Sequence, residues 1–422
     1  MNQKTNSISR VDILLAIVAM SLGWGLRGTI GGGEVGAMIP GALIGMILAE
    51  IAGISRVQSG LIAAASALGF GLGGAETYGQ TIGLLRENNN AAWGVLGLSL
   101  KGGAWGLGAS LMIWIAFHSR KLTNRQILIS FALLVAGTLA GWWFVDHPKL
   151  IYFSDPVNKP REEVWFGQII GPLISLIYLG KIVNSKKVYS WAISGFIAGS
   201  LGFGLGSLWL LAGFRWPVLP RSGPWWKLME FSFGAILGAG FAVKSAQVFA
   251  DSEIRKSSNN TDRFSLQNAI IGFLLSTFSI AFQFNLPHRM PFLFLAPILM
   301  FIVLKYPAQA WHVGLSITII GFVRDVMENH FNAMDQMSFL VASLLRNAIV
   351  ALFVEWLVSR NKFSNSLGVA ILSLSGYFAW LLRDYYAGQI SIAVVPAIFT
   401  IEMIIVILVC SKKILAESDV IN

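Results

Sequence analysis

The sequence predicts an all-α, polytopic membrane protein with about 14 transmembrane helices. Hydrophobic residues make up 55% of the 422 residues and charged residues 12%, about half of the roughly 25% charged residues typical of soluble domains. The apolar residues fall in runs of 16 to 26, long enough as helix to cross a hydrocarbon core of ~30 Å. No segment between these runs is long or polar enough for a separate soluble domain.

The apolar runs follow one another with short polar connections. Lys4 and Arg10 precede the first run without a small-residue cleavage site, so we expect an uncleaved first membrane helix. The tenth and eleventh runs are short and close together, which makes them candidates for a re-entrant pair. The predicted helices cover 11–30, 35–54, 57–75, 92–117, 126–145, 165–182, 189–213, 226–249, 264–284, 290–305, 308–323, 338–358, 368–382 and 391–411.

The distribution of basic residues predicts the orientation. With the N-terminus inside, 18 lysines and arginines fall in inner segments, 11 in outer segments and two within spans, which accounts for all 31. Cytoplasmic loops of membrane proteins carry such an excess. We therefore expect both termini, including a tail at 412–422, on the cytoplasmic side of the inner membrane. The same excess explains the net charge of +10 without a nucleic-acid partner.

A Gly-rich pattern recurs four times in helices 1–8 and predicts parallel internal repeats. Each time a helix ends in a glycine–aromatic signature, a polar stretch follows, and a helix with two glycines four residues apart returns. Glycines at this spacing let helix backbones approach closely in lipid. We expect a repeat region at 1–249, made of four-helix units at 11–117 and 126–249, and a C-terminal six-helix bundle at 264–411. The signatures are 23–28, 69–73, 141–143 and 202–206, and the glycine pairs are Gly41/Gly45, Gly102/Gly106, Gly167/Gly171 and Gly234/Gly238.

Several kinds of chemistry are excluded by what the sequence lacks. The single cysteine, Cys410, rules out an internal disulfide, a cysteine-ligated zinc site and an iron–sulfur cluster. The five histidines show no His-Glu-x-x-His spacing, and we expect neither a metal nor a cofactor. Gly-x-Gly-x-x-Gly occurs at 23–28 and 69–74, but there it closes membrane helices instead of following a strand, so we reject a nucleotide site.

The outer segments supply the first set of candidate solute-binding residues. Three glycines at 31–33 can break a helix and free backbone N–H groups for an anion, with Glu34 at the same helix start. A plain hairpin turn in which Glu34 caps its own helix fits equally well. Mixed acids, bases and tryptophans suit a polar or ring-shaped solute, although an interfacial aromatic belt also enriches tryptophan. The candidates are Arg27, Glu34, Glu76, Arg86, Trp93, Trp165, Arg215 and Trp226.

Charges within the predicted spans supply the second set. Lys101, Arg346 and Glu402 fall well inside helices, where each charge costs at least ~2.5–3.5 kcal/mol. Each should therefore face a partner, a cavity or a solute. A buried ion pair of Glu402 with Lys101 or Arg346 is the structural alternative. Asn347 joins Arg346 as a binding candidate, and Glu402 or the pair Asp325 and Glu328 could couple an ion, unless that pair lies in a solvated loop.

These features favour a secondary transporter for a polar, anionic or saccharide-like solute. The expected path runs from the outer vestibule past Lys101 towards Arg346 and Glu402. The alternative is a membrane enzyme with an outward-facing site that acts on a lipid-linked or periplasmic glycan through Glu87, Asp146 and Glu163. A third hypothesis is a non-catalytic component that holds partners through its Gly-rich faces. The sequence leaves the oligomeric state open.

Overall fold

The computed structural model describes residues 8–30, 32–76, 78–87, 89–154, 161–216, 223–249, 264–285, 290–330, 335–360, 362–387 and 394–421. These residues are helical apart from turns and short connections, and no strand occurs among them. The helices are α1 (Arg10–Arg27), α2 (Gly33–Ile51), α3 (Arg56–Gly73), α4 (Gly79–Leu84), α5 (Ala91–His118), α6 (Asn124–Gly141), α7 (Trp165–Val183), α8 (Lys187–Arg215), α9 (Trp225–Val248), α10 (Leu266–Asn285), α11 (Pro291–Lys305), α12 (Ile317–His330), α13 (Gln336–Val358), α14 (Asn365–Ala387) and α15 (Val394–Ile421).

Ten helical stretches in the described residues are long and apolar enough to cross a membrane. Three shorter apolar helices, within α3, α10 and α11, add to them. The described residues are thus all-helical, and their ten long apolar helices agree with the predicted polytopic membrane protein. The count of 14 spans stays a prediction: 13 of the 14 predicted runs coincide with one of these helices, and the first run, 11–30, coincides with α1.

Two local features differ from the sequence-based expectation. The loop after α3 contains an extra short helix, α4. The helix of the eleventh run is longer than expected, because a 3-10 turn at Pro307–Gln309 and a π-helical turn at His312–Ser316 lead directly into α12; the re-entrant pair stays a prediction. The whole stretch Pro307–Glu328 has 22 residues and qualifies as a spanning helix.

Six helices form a closed ring in the order α1, α2, α3, α5, α8, α9, with α9 packed back on α1. Its centre is filled by aromatic side chains that face one another. The rings of Trp24 and Trp105 lie 5.1 Å apart, and those of Phe203 and Phe233 lie 4.6 Å apart. All four side chains are buried, together with Phe70. The aromatic residues of the signatures at 23–28, 69–73 and 202–206 therefore close the middle of the ring.

The glycine pairs lie where helix backbones meet, which confirms the close-packing prediction. A Cβ atom on Gly106 would lie 1.9 Å from the carbonyl oxygen of Gly195 in α8. Each pair faces the backbone of one neighbouring helix, as expected for small residues at a lipid-embedded interface. Gly41/Gly45 face α3, Gly102/Gly106 face α8, Gly234/Gly238 face α1 and Gly167/Gly171 face α6.

The remaining helices pack around the ring. Helices α6 and α7 pair with each other, and α7 also contacts α5 and α8. Helices α12, α14 and α15 contact α1 or α2, and Lys413 of α15 bonds to Asp12 and Glu50. Helix α15 thus continues through the predicted tail as far as Ile421. The division at 249/264 and the two four-helix units stay predictions.

Candidate functional site

A polar cleft with a volume of about 410 Å³ opens at one end of the ring. It lies where α1 ends, α2 begins and α3 turns into α4, so loops far apart in sequence meet there. Glycines occupy much of its wall; a Cβ atom on Gly79 would have no neighbour closer than 3.7 Å. The cleft is lined by Arg27, Gly28, Gly32, Gly33, Glu34, Gly74, Ala75, Glu76, Tyr78, Gly79 and Arg161.

Arg27 is the buried cation of this cleft. It is the last residue of α1 and only 6% exposed. Its Nη1 donates to the Tyr78 hydroxyl at 2.8 Å, and its guanidinium lies 5.2 Å from the ring centre of Trp105 and 5.4 Å from that of Trp24. Aromatic faces at this distance attract a cation. Arg27 lines the cleft, and its buried Nε–H has no hydrogen-bond partner within the described part of the chain.

Glu230 of α9 lies next to the cleft and binds Tyr78, Trp226 and Lys227. Its Oε1 accepts hydrogen bonds from the Tyr78 hydroxyl at 3.0 Å and from Trp226 Nε1 at 2.9 Å, and its Oε2 pairs with Lys227 Nζ at 2.6 Å. A Cβ atom on Gly28 would lie 2.0 Å from this carboxylate, so the close approach requires glycine. We call Arg27, Tyr78, Trp226, Lys227 and Glu230 the Arg27 network.

The Arg27 network contains two cations and one carboxylate. Burial raises the pKa of Tyr78 above its ordinary value of 10.0. Its hydroxyl therefore stays protonated and bridges Arg27 to Glu230 as acceptor and donor. The network consequently keeps a formal positive surplus beside the cleft.

Helix α2 begins at the wall of the cleft. Gly32 precedes its first turn, no side chain caps it, and Glu34 lies in that first turn. The first backbone N–H groups of a helix lack partners within the helix and favour negative charge. This end of α2 can therefore bind an anionic group, and Glu34 lines the same space.

Lys101 lies behind the cleft in a fully buried cluster that we call the Lys101 triad. Its Nζ lies 2.9 Å from a carboxylate oxygen of Glu76 and 2.7 Å from one of Glu163, and all three side chains are 0% exposed. Thr81 Oγ1 accepts a further hydrogen bond at 2.9 Å. The alternative considered from the sequence, an ion pair of Lys101 with Glu402, is therefore wrong, although Lys101 does lie in a buried ion pair. The sequence pointed to Glu402 because it is the carboxylate at mid-span, whereas Glu76 and Glu163 come from loops.

The start of α7 helps to hold these carboxylates. Glu76 accepts a hydrogen bond from Val164 N at 3.3 Å, and Asp146 accepts from Phe166 N at 3.2 Å and Gly167 N at 3.0 Å. Carboxylates are favoured at a helix N-terminus. Burial raises the pKa of Glu76 despite the opposing attraction of Lys101, which suits two carboxylates that share one ammonium group.

The three acids of the enzyme hypothesis do not meet around a free space. Glu163 accepts hydrogen bonds from Phe153 N at 2.9 Å and Ser154 Oγ at 2.7 Å in addition to Lys101. Asp146 is likewise occupied by backbone N–H groups. Glu87 lies apart on an exposed loop and accepts from Asn90. Two of the three are thus engaged in holding the fold together.

The other charges within the spans lie in separate contacts. Arg346 donates to Asn347 Oδ1 at 2.9 Å and approaches the Met327 sulfur at 3.7 Å, while Asn347 donates to Thr277 at 3.0 Å. Glu402 accepts a hydrogen bond from Ser21 of α1. The alternative ion pair of Arg346 with Glu402 is therefore also wrong. Among the described residues, Lys101, Arg346 and Glu402 thus occupy three different helix interfaces.

The two carboxylates of the coupling hypothesis, Asp325 and Glu328, each form an ion pair. Asp325 pairs with Arg383 at 3.5 Å, and Glu328 pairs with Arg324. Each carboxylate of the expected coupling pair thus has its own arginine.

Among the outer candidates, Arg27, Glu34 and Glu76 line the cleft, and Trp226 belongs to the Arg27 network. The others make contacts outside it. Arg215 donates to the Glu87 carbonyl at 3.2 Å, Arg86 lies 5.0 Å from the Phe214 ring centre, Trp93 donates to the Tyr152 carbonyl at 2.9 Å, and Trp165 packs 5.2 Å from Phe153.

The sequence pattern did not single out Glu230, which holds three groups of the Arg27 network together. One signal was available, since Trp226 and Glu230 are four residues apart and share a helix face. Among the described residues, no three His, Cys, Asp or Glu side chains converge as a metal site requires.

No protein-family model, curated protein or solved structure matches the chain, so its function is inferred from the geometry of the cleft.

Proposed function

We propose that the protein is a secondary transporter for a small polar solute with an anionic group, and that the solute binds in the cleft. The observation that carries this proposal is Arg27. It is a buried arginine that lines an open cleft of about 410 Å³ and has an Nε–H without a partner in the described residues. A volume of this size suits a small molecule, since ligand pockets span ~300–1,000 Å³.

The lining chemistry defines the class of solute. A guanidinium presents paired donors that match a carboxylate or phosphate, and the start of α2 favours the same negative group. Glu34 and the Tyr78 hydroxyl offer acceptors for the hydroxyl groups of the remaining solute. These requirements describe a sugar acid or another hydroxylated carboxylate.

The ring favours transport over simple binding. The cleft lies above the aromatic centre of the ring, and its helices meet backbone to backbone through glycine pairs. Alternating access requires helices that can rock against one another around a site. The proposal also includes the predicted topology. We expect fourteen spans, parallel repeats in helices 1–8, a cleft on the outer side and both termini in the cytoplasm.

Uptake into proteoliposomes tests the proposal. Purified protein is reconstituted and offered labelled sugars, sugar acids and small carboxylates, and the trapped solute is analysed for chemical change. We expect saturable uptake of an unaltered sugar acid or carboxylate. The Arg27→Gln substitution should weaken this uptake roughly 10–100-fold, since a hydrogen bond to a charged group contributes ~1.5–3 kcal/mol.

Arg86→Gln is the matched control, because Arg86 is an exposed arginine outside the cleft. Solute uptake by the Arg86→Gln variant should equal that of the wild type. Full uptake by Arg27→Gln would rule out the cleft as the binding site. A chemically altered solute would favour the membrane enzyme instead. A protein that binds no solute and tolerates both substitutions would favour a non-catalytic membrane component.

A further inference from the structure

A histidine and a glutamate meet in the interior of the helical bundle, away from the cleft. His312 opens the π-helical turn before α12, and its side chain is 0% exposed. Its Nε2 lies 3.4 Å from Oε2 of Glu355 in α13, whose side chain is 4% exposed. π-Helical turns inside helices occur frequently at functional sites. We call these two residues the His312–Glu355 pair.

Neighbouring groups fix both side chains. Ser316 Oγ lies 3.0 Å from His312 Nδ1, and a Cβ atom on Gly272 would lie 2.3 Å from the same nitrogen. Glu355 accepts a hydrogen bond from Ser265 N at 3.1 Å. Asn268 Nδ2 lies 3.4 Å from the Glu355 carboxylate and is itself held by Gln309. The pair is therefore a positioned site within a polar shell.

The helices packed around this turn bring no other charge to the imidazole. Helix α10 contains no ionisable residue. The ionisable residue of α3 is Arg56, which donates to the Arg360 carbonyl. In α13, Arg346 lies nine residues before Glu355, or ~13 Å along the helix.

Helices α2 and α12 also contact the turn, and their ionisable residues are accounted for elsewhere. In α2, Glu34 lines the cleft and Glu50 pairs with Lys413. In α12, the ionisable residues fall at 324–330, towards its C-terminal end, where Arg324 pairs with Glu328 and Asp325 pairs with Arg383. Glu355 is thus the carboxylate that faces His312.

This arrangement can hold a proton. Among the described residues, His312 Nε2 has no hydrogen-bond partner, and its distance from Glu355 exceeds the ~2.7–2.9 Å of a charge-assisted hydrogen bond. With a neutral imidazole, Glu355 keeps its hydrogen bonds from Ser265 and Asn268 but has no neighbouring cation among the described ion pairs, which is costly for a carboxylate buried in a membrane domain. A proton that binds Nε2 converts the pair to an imidazolium and a carboxylate with no net charge.

We propose that the His312–Glu355 pair is the binding site for a proton whose gradient drives solute movement. This rests on the transport function proposed above. Helix α3 provides the physical link, because its N-terminal half packs against the turn and its C-terminal end leads to the cleft. Gly60 of α3 lies against the ring of Trp311, and Ala64 N lies 3.2 Å from the Cβ position of Gly314.

Two transport assays in the same proteoliposomes separate the proton site from the solute site. The first measures exchange of labelled for unlabelled solute at equal pH on both sides, which needs no net proton movement. The second measures accumulation driven by one pH unit with the membrane voltage held at zero. With one proton per solute, that gradient supports up to about tenfold accumulation.

We expect His312→Gln and Glu355→Gln each to retain exchange and to lose the tenfold accumulation. His147 and Glu162 provide matched controls, because they form an exposed pair whose Nδ1 and Oε1 atoms lie 3.8 Å apart. His147→Gln and Glu162→Gln should retain both activities. Size-exclusion profiles and exchange rates show whether each variant is folded.

Three outcomes overturn the proposal in different ways. Full pH-driven accumulation by both His312→Gln and Glu355→Gln would remove the pair from coupling. Wild-type exchange without any pH-driven accumulation would exclude the proton as the coupling ion while the transport function stands. Absence of exchange for every solute in the wild type would overturn the transport function, and the proton site with it.

Discussion

The Lys101 triad and the Arg27 network contain similar side chains, yet their surroundings differ. In the triad, one ammonium group lies between two carboxylates, with every side chain 0% exposed. In the network, Lys227 pairs with Glu230, and Arg27 is linked to Glu230 through the Tyr78 hydroxyl beside an open cleft. One guanidinium N–H has no partner within the described residues. Glu76 belongs to the triad and also lines the cleft, so the two clusters are neighbours.

This difference shows how a buried charge can be sorted into a structural or a binding role. A buried ion pair whose donors and acceptors are mutually satisfied holds loops and helices together, and removing one partner leaves an uncompensated charge. A buried cation with an unfilled donor at a cavity wall can instead receive a ligand. Mid-span position alone does not distinguish the two, as Lys101 demonstrates.

The largest expected effect is on the triad. Lys101→Met leaves two buried carboxylates without their cation and should lower the free energy of unfolding by ~3–5 kcal/mol. Denaturant unfolding in detergent measures this change. Lys181→Met replaces an exposed lysine of α7 and should stay within ~0.5 kcal/mol of the wild type.

A second variant sharpens this prediction. Adding Glu76→Gln and Glu163→Gln to Lys101→Met removes the stranded charges, so part of the lost stability should return. Equal stability of Lys101→Met and Lys181→Met would mean that the triad does not hold the fold. Lys101 would then be open to a direct role in solute binding.

The sequence predicted the helices far better than their partners. Hydropathy alone identifies apolar runs, because every backbone polar group in lipid must be satisfied within a helix. The glycine spacing likewise predicted close contacts. It could not show that Gly102 and Gly106 face α8 while Gly167 and Gly171 face α6, because partner choice depends on the whole bundle.

The candidate site was predicted in part for the same reason. Arg27, Glu34 and Glu76 lie at or next to helix ends in the repeat pattern, and the structure brings them to one cleft. The partners of Lys101 were missed, since Glu163 is 62 residues away in sequence. The His312–Glu355 pair carries no motif at all, because its two residues meet only through packing of the turn against α13.

Gly106 and Gly79 also differ in their surroundings, since one lies in a packed helix interface and the other lines the open cleft. Gly106→Ala would place a Cβ atom 1.9 Å from the Gly195 carbonyl oxygen and should destabilise the ring by ~1–3 kcal/mol through overpacking. Gly79→Ala adds the same atom beside the cleft, where its nearest neighbour is 3.7 Å away. Thermal unfolding of both variants should show a large loss for Gly106→Ala and little change for Gly79→Ala. Equal losses would contradict the distinction between a packed interface and an open cleft.

The smallest effect is expected within the Arg27 network. Tyr78→Phe removes the hydroxyl between Arg27 and Glu230, but Glu230 keeps its bonds to Trp226 and Lys227. The cost in unfolding free energy should be ~0.5–1.5 kcal/mol, well below that of Lys101→Met. Solute affinity should also fall severalfold, because Arg27 loses the contact that orients its guanidinium.

Tyr377→Phe separates the two effects of that substitution. The Tyr377 hydroxyl forms one hydrogen bond, at 2.8 Å to Thr400, between α14 and α15 and away from the cleft. This variant should lose a similar amount of stability, ~0.5–1.5 kcal/mol, and keep full solute affinity. If Tyr78→Phe changed affinity no more than Tyr377→Phe, orientation of Arg27 by Tyr78 would not matter for binding. The Arg27 network would then resemble the Lys101 triad as a structural cluster, and the difference between the two would lie in solvent access alone.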